Sequence, residues 1–186
     1  MKRILDLIFA SVFGLLILLP FLFICLVVKF TSKGPVFYWS NRIGFKNLPF
    51  KMPKFRTMHH GTPAVATHLL HNPQIYLTPI GSFLRKSSLD ELPQLWSIFK
   101  GDMSFVGPRP ALFNQKDLIA LRSKAGIDTL VPGLTGWAQV NGRDNLSIRK
   151  KVALDIEYME NQSIYFDLKI IWVTFWKTAQ RRGISH

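Results

Sequence analysis

The sequence predicts a mixed α/β fold, mostly helical and irregular, with an N-terminal re-entrant membrane helix broken at Pro20 and interfacial amphipathic helices around one small body. Three observations carry that expectation. No charged residue stands between Leu7 and Val28, and Pro20 lies inside that run. Pro and Gly punctuate the rest: Gly34-Pro35, Gly107-Pro108, Pro110, Pro132-Gly133, Gly136 and Gly142. A Trp-rich basic segment, Leu168–Arg182, closes the chain.

Taken as a helix, the uncharged run is about 33 Å long, enough to cross a hydrocarbon core. It is too long for a signal-peptide core, and no small-x-small cleavage site follows it. Its flanks are basic on both sides: Lys2 and Arg3 before it, Lys29, Lys33, Arg42, Lys46, Lys51, Lys54 and Arg56 after it. Positive charge stays on the cytoplasmic side. A spanning helix meets that rule at one end, whereas a helix bent at Pro20 that leaves by the face it came from meets it at both. The re-entrant form is therefore favoured over a plain spanning helix. Residues 1–30 form this membrane helix, and residues 31–186 form a body on the cytoplasmic face.

Within that body the candidate strands are Val36–Trp39, Phe50–Phe55 and Trp137–Val140. The candidate helices cover roughly 64–72, 79–86, 91–100, 114–125 and 147–160. In the last segment Leu168, Ile171, Trp172, Phe175 and Ala179 recur at helical spacing, widened by Ile170, Val173 and Trp176. Trp beside Lys169, Lys177, Arg181 and Arg182 suits a helix in the membrane interface. A core helix with a charged edge fits as well, and the N-terminal anchor tips the balance.

The 186 residues hold 24 Lys+Arg against 11 Asp+Glu, a net charge of +13. Residues 1–60 contribute nine bases against the single acid Asp6. With 48% apolar residues the chain is not a disordered one, and one cysteine, Cys25, excludes an internal disulfide. The basic excess calls for an anionic partner: a nucleic acid, a phosphorylated substrate or an acidic membrane. No helix-turn-helix, zinc finger or RNP aromatic pattern supports nucleic acid. His59, His60, His68 and His71 lack the convergent partners of a zinc site.

The segment from Ser87 to Gly101 is the most informative. Leu92, Leu95, Trp96 and Phe99 mark one helix face, Gly101 suits the C-terminal stop, and Pro93 needs the first turn. That places Asp90 at or next to the N-cap and Glu91 in the first turn. Acids at helix starts are common. Here Arg85 and Lys86 precede them by one turn and Gly107-Pro108-Arg109-Pro110 follows. Carboxylates beside arginines at the positive end of a helix suit a metal and a phosphate, and keep Asp90 ionised as a nucleophile. Arg85 is a candidate phosphate clamp by its planar fork and its spacing to Asp90. Gln139, Asn141 and Arg143, in a Gly-rich turn, either bind substrate or hold that turn together. Lys54 and Arg56 meet substrate or lipid headgroups, and Asp155, Glu157 and Asp167 read as structural ion partners.

Ser87–Pro110 (SSLDELPQLWSIFKGDMSFVGPRP), Lys54–Met58 (KFRTM) and Pro132–Arg143 (PGLTGWAQVNGR) resemble, in this order, the bacterial sugar transferases, the monotopic phosphoglycosyl transferases. The resemblance covers nearly the whole chain and is to the small members, little more than a catalytic core. It implies transfer of a sugar-1-phosphate from a UDP-sugar to a polyprenol phosphate, usually undecaprenyl phosphate, with release of UMP. The family's Asp-Glu dyad falls on Asp90 and Glu91, with Asp90 the nucleophile and Mg²⁺ held by Glu91 with Asp90 nearby. Arg109, with Pro110 after it, falls near the uridine. The implied location is the bacterial inner membrane, catalytic domain toward the cytoplasm; self-association is left open. Two departures stand out: His59-His60-Gly61 replaces acids common after KFRTM, and Leu19-Pro20 replaces a frequent Ser-Pro.

Overall fold

The computed structural model describes residues 1–63, 65, 70–142 and 145–180. The chain opens with two helices, α1 (Lys2–Leu16) and α2 (Leu18–Thr31), bent by 64° against each other. The break lies at Ile17, not at Pro20, which sits in the first turn of α2. Proline explains the displacement: it offers no N–H to the Leu16 carbonyl, and its ring crowds that carbonyl. The helical ladder therefore parts one turn ahead of the proline. Among the described residues no single helix is long and apolar enough to cross a membrane, but the bent pair together reaches that length and composition.

The N-terminal cations of α1 tie it down. Arg3 donates to the carbonyls of Ile98 and Phe99, at the C-terminal end of another helix where cations are favoured. Lys2 pairs with Asp167, which also accepts from the Tyr158 hydroxyl at 2.7 Å. Ala10 packs with Met52, Ile98 and Met103, whereas Ile24 and Val28 of α2 pack with Phe55 and Leu84. The outward faces stay apolar: Val12, Phe13, Leu15, Leu16, Leu19 and Phe23 are all exposed.

A hairpin follows. β1 (Phe37–Ile43) pairs antiparallel with β2 (Pro49–Phe55), with Tyr38 opposite Lys54. Its tip holds Lys46 and Asn47 at positive φ. A short β4 (Ala111–Leu112) adds to the other edge of β1. The second sheet is a parallel pair, β3 (Ser104–Val106) with β5 (Gly133–Thr135).

The remaining helices are α3 (Gly81–Lys86), α4 (Leu95–Lys100), α5 (Lys116–Lys124), α6 (Trp137–Val140), α7 (Ile148–Glu160) and α8 (Ile164–Ala179). A 3-10 segment, Leu89–Gln94, runs directly into α4. α7 and α8 begin on serine caps, Ser147 and Ser163, which accept from Lys150 and Phe166.

Several expectations change. Trp137–Val140 is a helical turn, not a strand; the Val140 N–H reaches the Gly136 carbonyl and the Asn141 amide reaches the Trp137 carbonyl. The helix expected over 64–72 falls mostly outside the described residues, and residues 70–72 are not helical. Along Leu89–Lys100 the buried face carries Gln94, Ser97 and Ile98, while Trp96 (59%) and Phe99 (39%) are exposed. On α8, Ile170 turns inward and Leu168, Trp172, Phe175 and Trp176 turn outward. Both helices thus show their aromatic stripe to the surroundings.

Candidate active site

A cavity of about 730 Å³ opens between the hairpin, the 3-10 segment and the 108–110 turn. Its lining includes Lys54, Arg56, Arg85, Asp90, Glu91, Arg109, Pro110 and Gln139. This is the size of a small-molecule site.

Ser88, at φ 58°, turns the chain from α3 into the 3-10 segment and stands at its N-cap. Glu91 falls in the first turn as expected, and Asp90 falls there too, one step further in than a place at or next to the N-cap. Pro93 is the fifth residue of the 3-10 segment, not in the first turn as expected, and stands just ahead of α4. Asp90 is buried and Glu91 half-buried.

The dyad is held by cations from three elements. Lys54 of β2 donates to Glu91 at 2.7 Å and lies 3.5 Å from Asp90. Arg109 donates to the same Glu91 oxygen, Oε1, at 2.7 Å. Arg85 of α3 adds its charge near Asp90 and donates through Nε to the Thr57 hydroxyl at 2.9 Å. Burial is the largest influence on Asp90 and lifts its carboxyl above the usual range; Lys54, Arg85 and Arg109 pull it back, and Glu91 adds to the rise. The expectation that cations and the helix end alone set its ionisation is thus incomplete, because desolvation outweighs them. Burial also lowers the Arg85 guanidinium, against the opposing pull of Asp90.

The 107–110 turn is fixed against the 133–136 turn by close backbone packing. A Cβ on Gly133 would come within 2.1 Å of the Gly107 nitrogen, and one on Gly136 within 2.1 Å of the Gly107 oxygen. Only glycine allows this approach, which sets Arg109 over the dyad.

The other expected residues are placed differently. Arg56 is buried and spends its guanidinium on the carbonyls of Ser32 and Lys33 at 2.8 Å, closing the end of α2. Gln139 lines the cavity, but its amide nitrogen donates to the Leu134 carbonyl at 2.9 Å. Asn141 points its amide into its own turn, and Arg143 lies outside the described residues. His59 and His60 are exposed at the cavity rim; His68 lies outside the described residues. Sequence reasoning missed Thr57, which braces Arg85, and Arg42 and Arg122, which brace the 108–110 turn. In a chain with 24 Lys+Arg, nothing local singles those arginines out.

Two adjacent carboxylates that open on a cationic cavity fit a hard divalent ion, which takes one or two protein carboxylates and completes its shell from substrate phosphate. Among the described residues no cluster of three or more His, Cys, Asp or Glu is present. A metal here would draw its remaining ligands from the substrate and water.

Comparison with known proteins identifies the family. The family model described as bacterial sugar transferase matches residues 1–181. The chain is 40% identical over 185 residues to the uncharacterized sugar transferase EpsL of Bacillus subtilis, covering 100% of this chain and 90% of that protein. It is 39% identical over 203 residues to the exopolysaccharide production protein ExoY of Rhizobium meliloti, covering 98% and 87%. It is 37% identical over 186 residues to the UDP-glucose:undecaprenyl-phosphate glucose-1-phosphate transferase of Escherichia coli, covering 95% of this chain but 40% of that longer protein.

Proposed function

The chain belongs to the bacterial sugar transferase family, and on that premise we propose that it moves a sugar-1-phosphate from a UDP-sugar to a polyprenol phosphate. The observation that carries the reading is Asp90, buried in a cavity beside Glu91 and facing Lys54, Arg85 and Arg109. The reaction is two displacements at one phosphorus. A carboxylate oxygen of Asp90 attacks the β-phosphorus of the UDP-sugar, the bond from that phosphorus to the bridging oxygen breaks, and UMP leaves. An oxygen of the lipid phosphate then attacks the phosphosugar-aspartyl phosphorus. The bond to Asp90 breaks, its carboxylate returns, and the lipid diphosphosugar departs.

Lys54, Arg85 and Arg109 balance the phosphate charge in both steps. Asp90 with Glu91 would hold Mg²⁺, which when bound neutralises diphosphate charge and eases departure of UMP. Lys54 and Arg109 on Glu91 keep that carboxylate turned toward the cavity.

The bent α1–α2 pair, on this reading, is a re-entrant anchor in the bacterial inner membrane, with residues 31–186 on the cytoplasmic face. The exposed Trp172, Phe175 and Trp176 of α8 and Trp96 of α4 support an interfacial position for the body. The anchor brings the cavity to the surface where a polyprenol phosphate presents its headgroup. The names of the relatives support exopolysaccharide assembly as the setting. A nucleic-acid reading gains no support from the relatives, which are named as sugar transferases.

Purified protein with polyprenol phosphate, Mg²⁺ and a UDP-sugar panel should release UMP continuously from at least one donor. No release from any donor would contradict the reading. Cysteines placed at residues 2 and 60 should react from the same membrane face; reaction from opposite faces would contradict the re-entrant anchor.

A further inference from the structure

The three carbonyls of the 108–110 turn each meet a donor from a different element. Pro108 accepts from the Gly133 N–H at 3.0 Å, Arg109 from Arg122 Nη1 at 2.7 Å, and Pro110 from Arg42 Nη1 at 3.1 Å. The two prolines also fix φ on both sides of Arg109. Its backbone is therefore set from outside the turn.

Arg122 itself is locked. Its Nε and Nη2 both donate to Asp155 Oδ2, at 2.9 and 2.7 Å, and the side chains are 11% and 2% exposed. That leaves Nη1 for the Arg109 carbonyl, so the planar fork is held along one edge and aimed along the other. A buried pair of this kind contributes little net stability, because desolvation offsets the attraction. Nor does α5 need it to reach α7, since Leu118, Ile127 and Val152 already join them. What the pair adds is direction. A continuous line runs from Asp155 through Arg122 to the Arg109 carbonyl, and from the Arg109 guanidinium to Glu91 at 2.7 Å.

We propose that Arg122, locked by Asp155, is a positioning residue that sets Arg109 at the donor site. The proposal rests on the reading above, in which Arg109 meets the nucleotide diphosphate. Arg122 acts through the turn and leaves the reacting atoms to Asp90.

The test is a double-mutant cycle on the full-length protein in detergent, with UDP affinity measured by calorimetry and thermal midpoints recorded for each form. Arg122→Lys keeps a charge beside Asp155 and removes the fork. It should weaken UDP binding about tenfold in the native background, on the scale of losing an outer partner that orients a ligand. In an Arg109→Ala background the same change should cost less than about twofold, because the group it orients is gone. If Arg122→Lys does not fold, Asp155→Asn releases the same fork and should show the same background dependence. Equal losses in both backgrounds, or no loss in either, overturns the proposal while leaving the donor site intact. An unaltered chain that binds no UDP would overturn the donor-site reading, and the proposal with it.

Discussion

Two clusters of charge meet at Arg109, and they differ in access to the cavity. At the dyad two carboxylates, Asp90 and Glu91, face three cations, Lys54, Arg85 and Arg109, around an open cavity. At the other cluster Arg122 donates twice to Asp155, whose side chain is 2% exposed, and Lys151 adds its charge nearby. Asp155 lies outside the cavity lining, whereas Asp90 and Glu91 open on it. Burial raises both Asp90 and Asp155, so the direction of the shift alone does not tell a reacting group from a structural one. Access to the cavity does.

The two clusters should separate most clearly when one acid is removed from each. Asp90→Asn should lower turnover by at least about a thousandfold, since the nucleophile is gone. Its thermal midpoint should not fall: a raised carboxyl is one the fold holds less well charged, and the amide carries no charge. A marked loss of stability with retained turnover would reverse the roles assigned to the two clusters.

Asp155→Ala should act on stability first, costing about 3–5 kcal/mol in denaturant unfolding because Arg122 is left buried and unpaired, beside the weaker UDP binding expected from a released Arg122. Stability within about 0.5 kcal/mol of the parent would mean that Arg122 finds solvent and that the pair is not sealed.

Glu91→Gln separates the members of the dyad. If Glu91 carries the metal, the Mg²⁺ concentration for half-maximal rate should rise about 10- to 100-fold. An unchanged Mg²⁺ dependence would assign the metal to Asp90 and the substrate alone.

The smallest effect is in pH. Asp90 must be ionised to attack, and its folded carboxyl lies above the ordinary 3.8. The acid limb of kcat/KM should therefore stand above the ordinary aspartate range, with activity falling as pH drops through it. Stability moves the other way. The folded chain holds this proton more tightly than the unfolded chain, so the cost of the charged carboxyl is present above the raised value and fades as pH falls toward 3.8. An acid limb at or below 3.8 would contradict the desolvated site.

Local patterns in the sequence located most of this framework. Phe50–Phe55 is a strand because the hairpin partner lies a short turn away, and α5 and α7 follow their apolar spacing. The dyad and its cations on either side were legible from KFRTM, SSLDELPQ and GPRP. Three features were not. Trp137–Val140 alternates like a strand, but Gly136 starts a helical turn there. The Leu92–Phe99 stripe marks a helix correctly, yet its aromatics face out and Gln94 and Ser97 face in. Apolar spacing gives the period of a helix and not which face the rest of the chain covers. The Arg122–Asp155 pair joins residues 33 apart on two helices, a relation only tertiary packing creates.

We propose Asp90 as the nucleophile of a two-step transfer. Incubating the protein and Mg²⁺ with a turned-over UDP-sugar, but no lipid acceptor, and mapping modified peptides by mass spectrometry tests it most directly. The expected result is one equivalent of UMP and a phosphosugar mass on the peptide carrying Asp90, cleared by adding polyprenol phosphate and absent from Asp90→Asn. An adduct that survives Asp90→Asn, or turnover with no adduct and no UMP before the acceptor arrives, would contradict it.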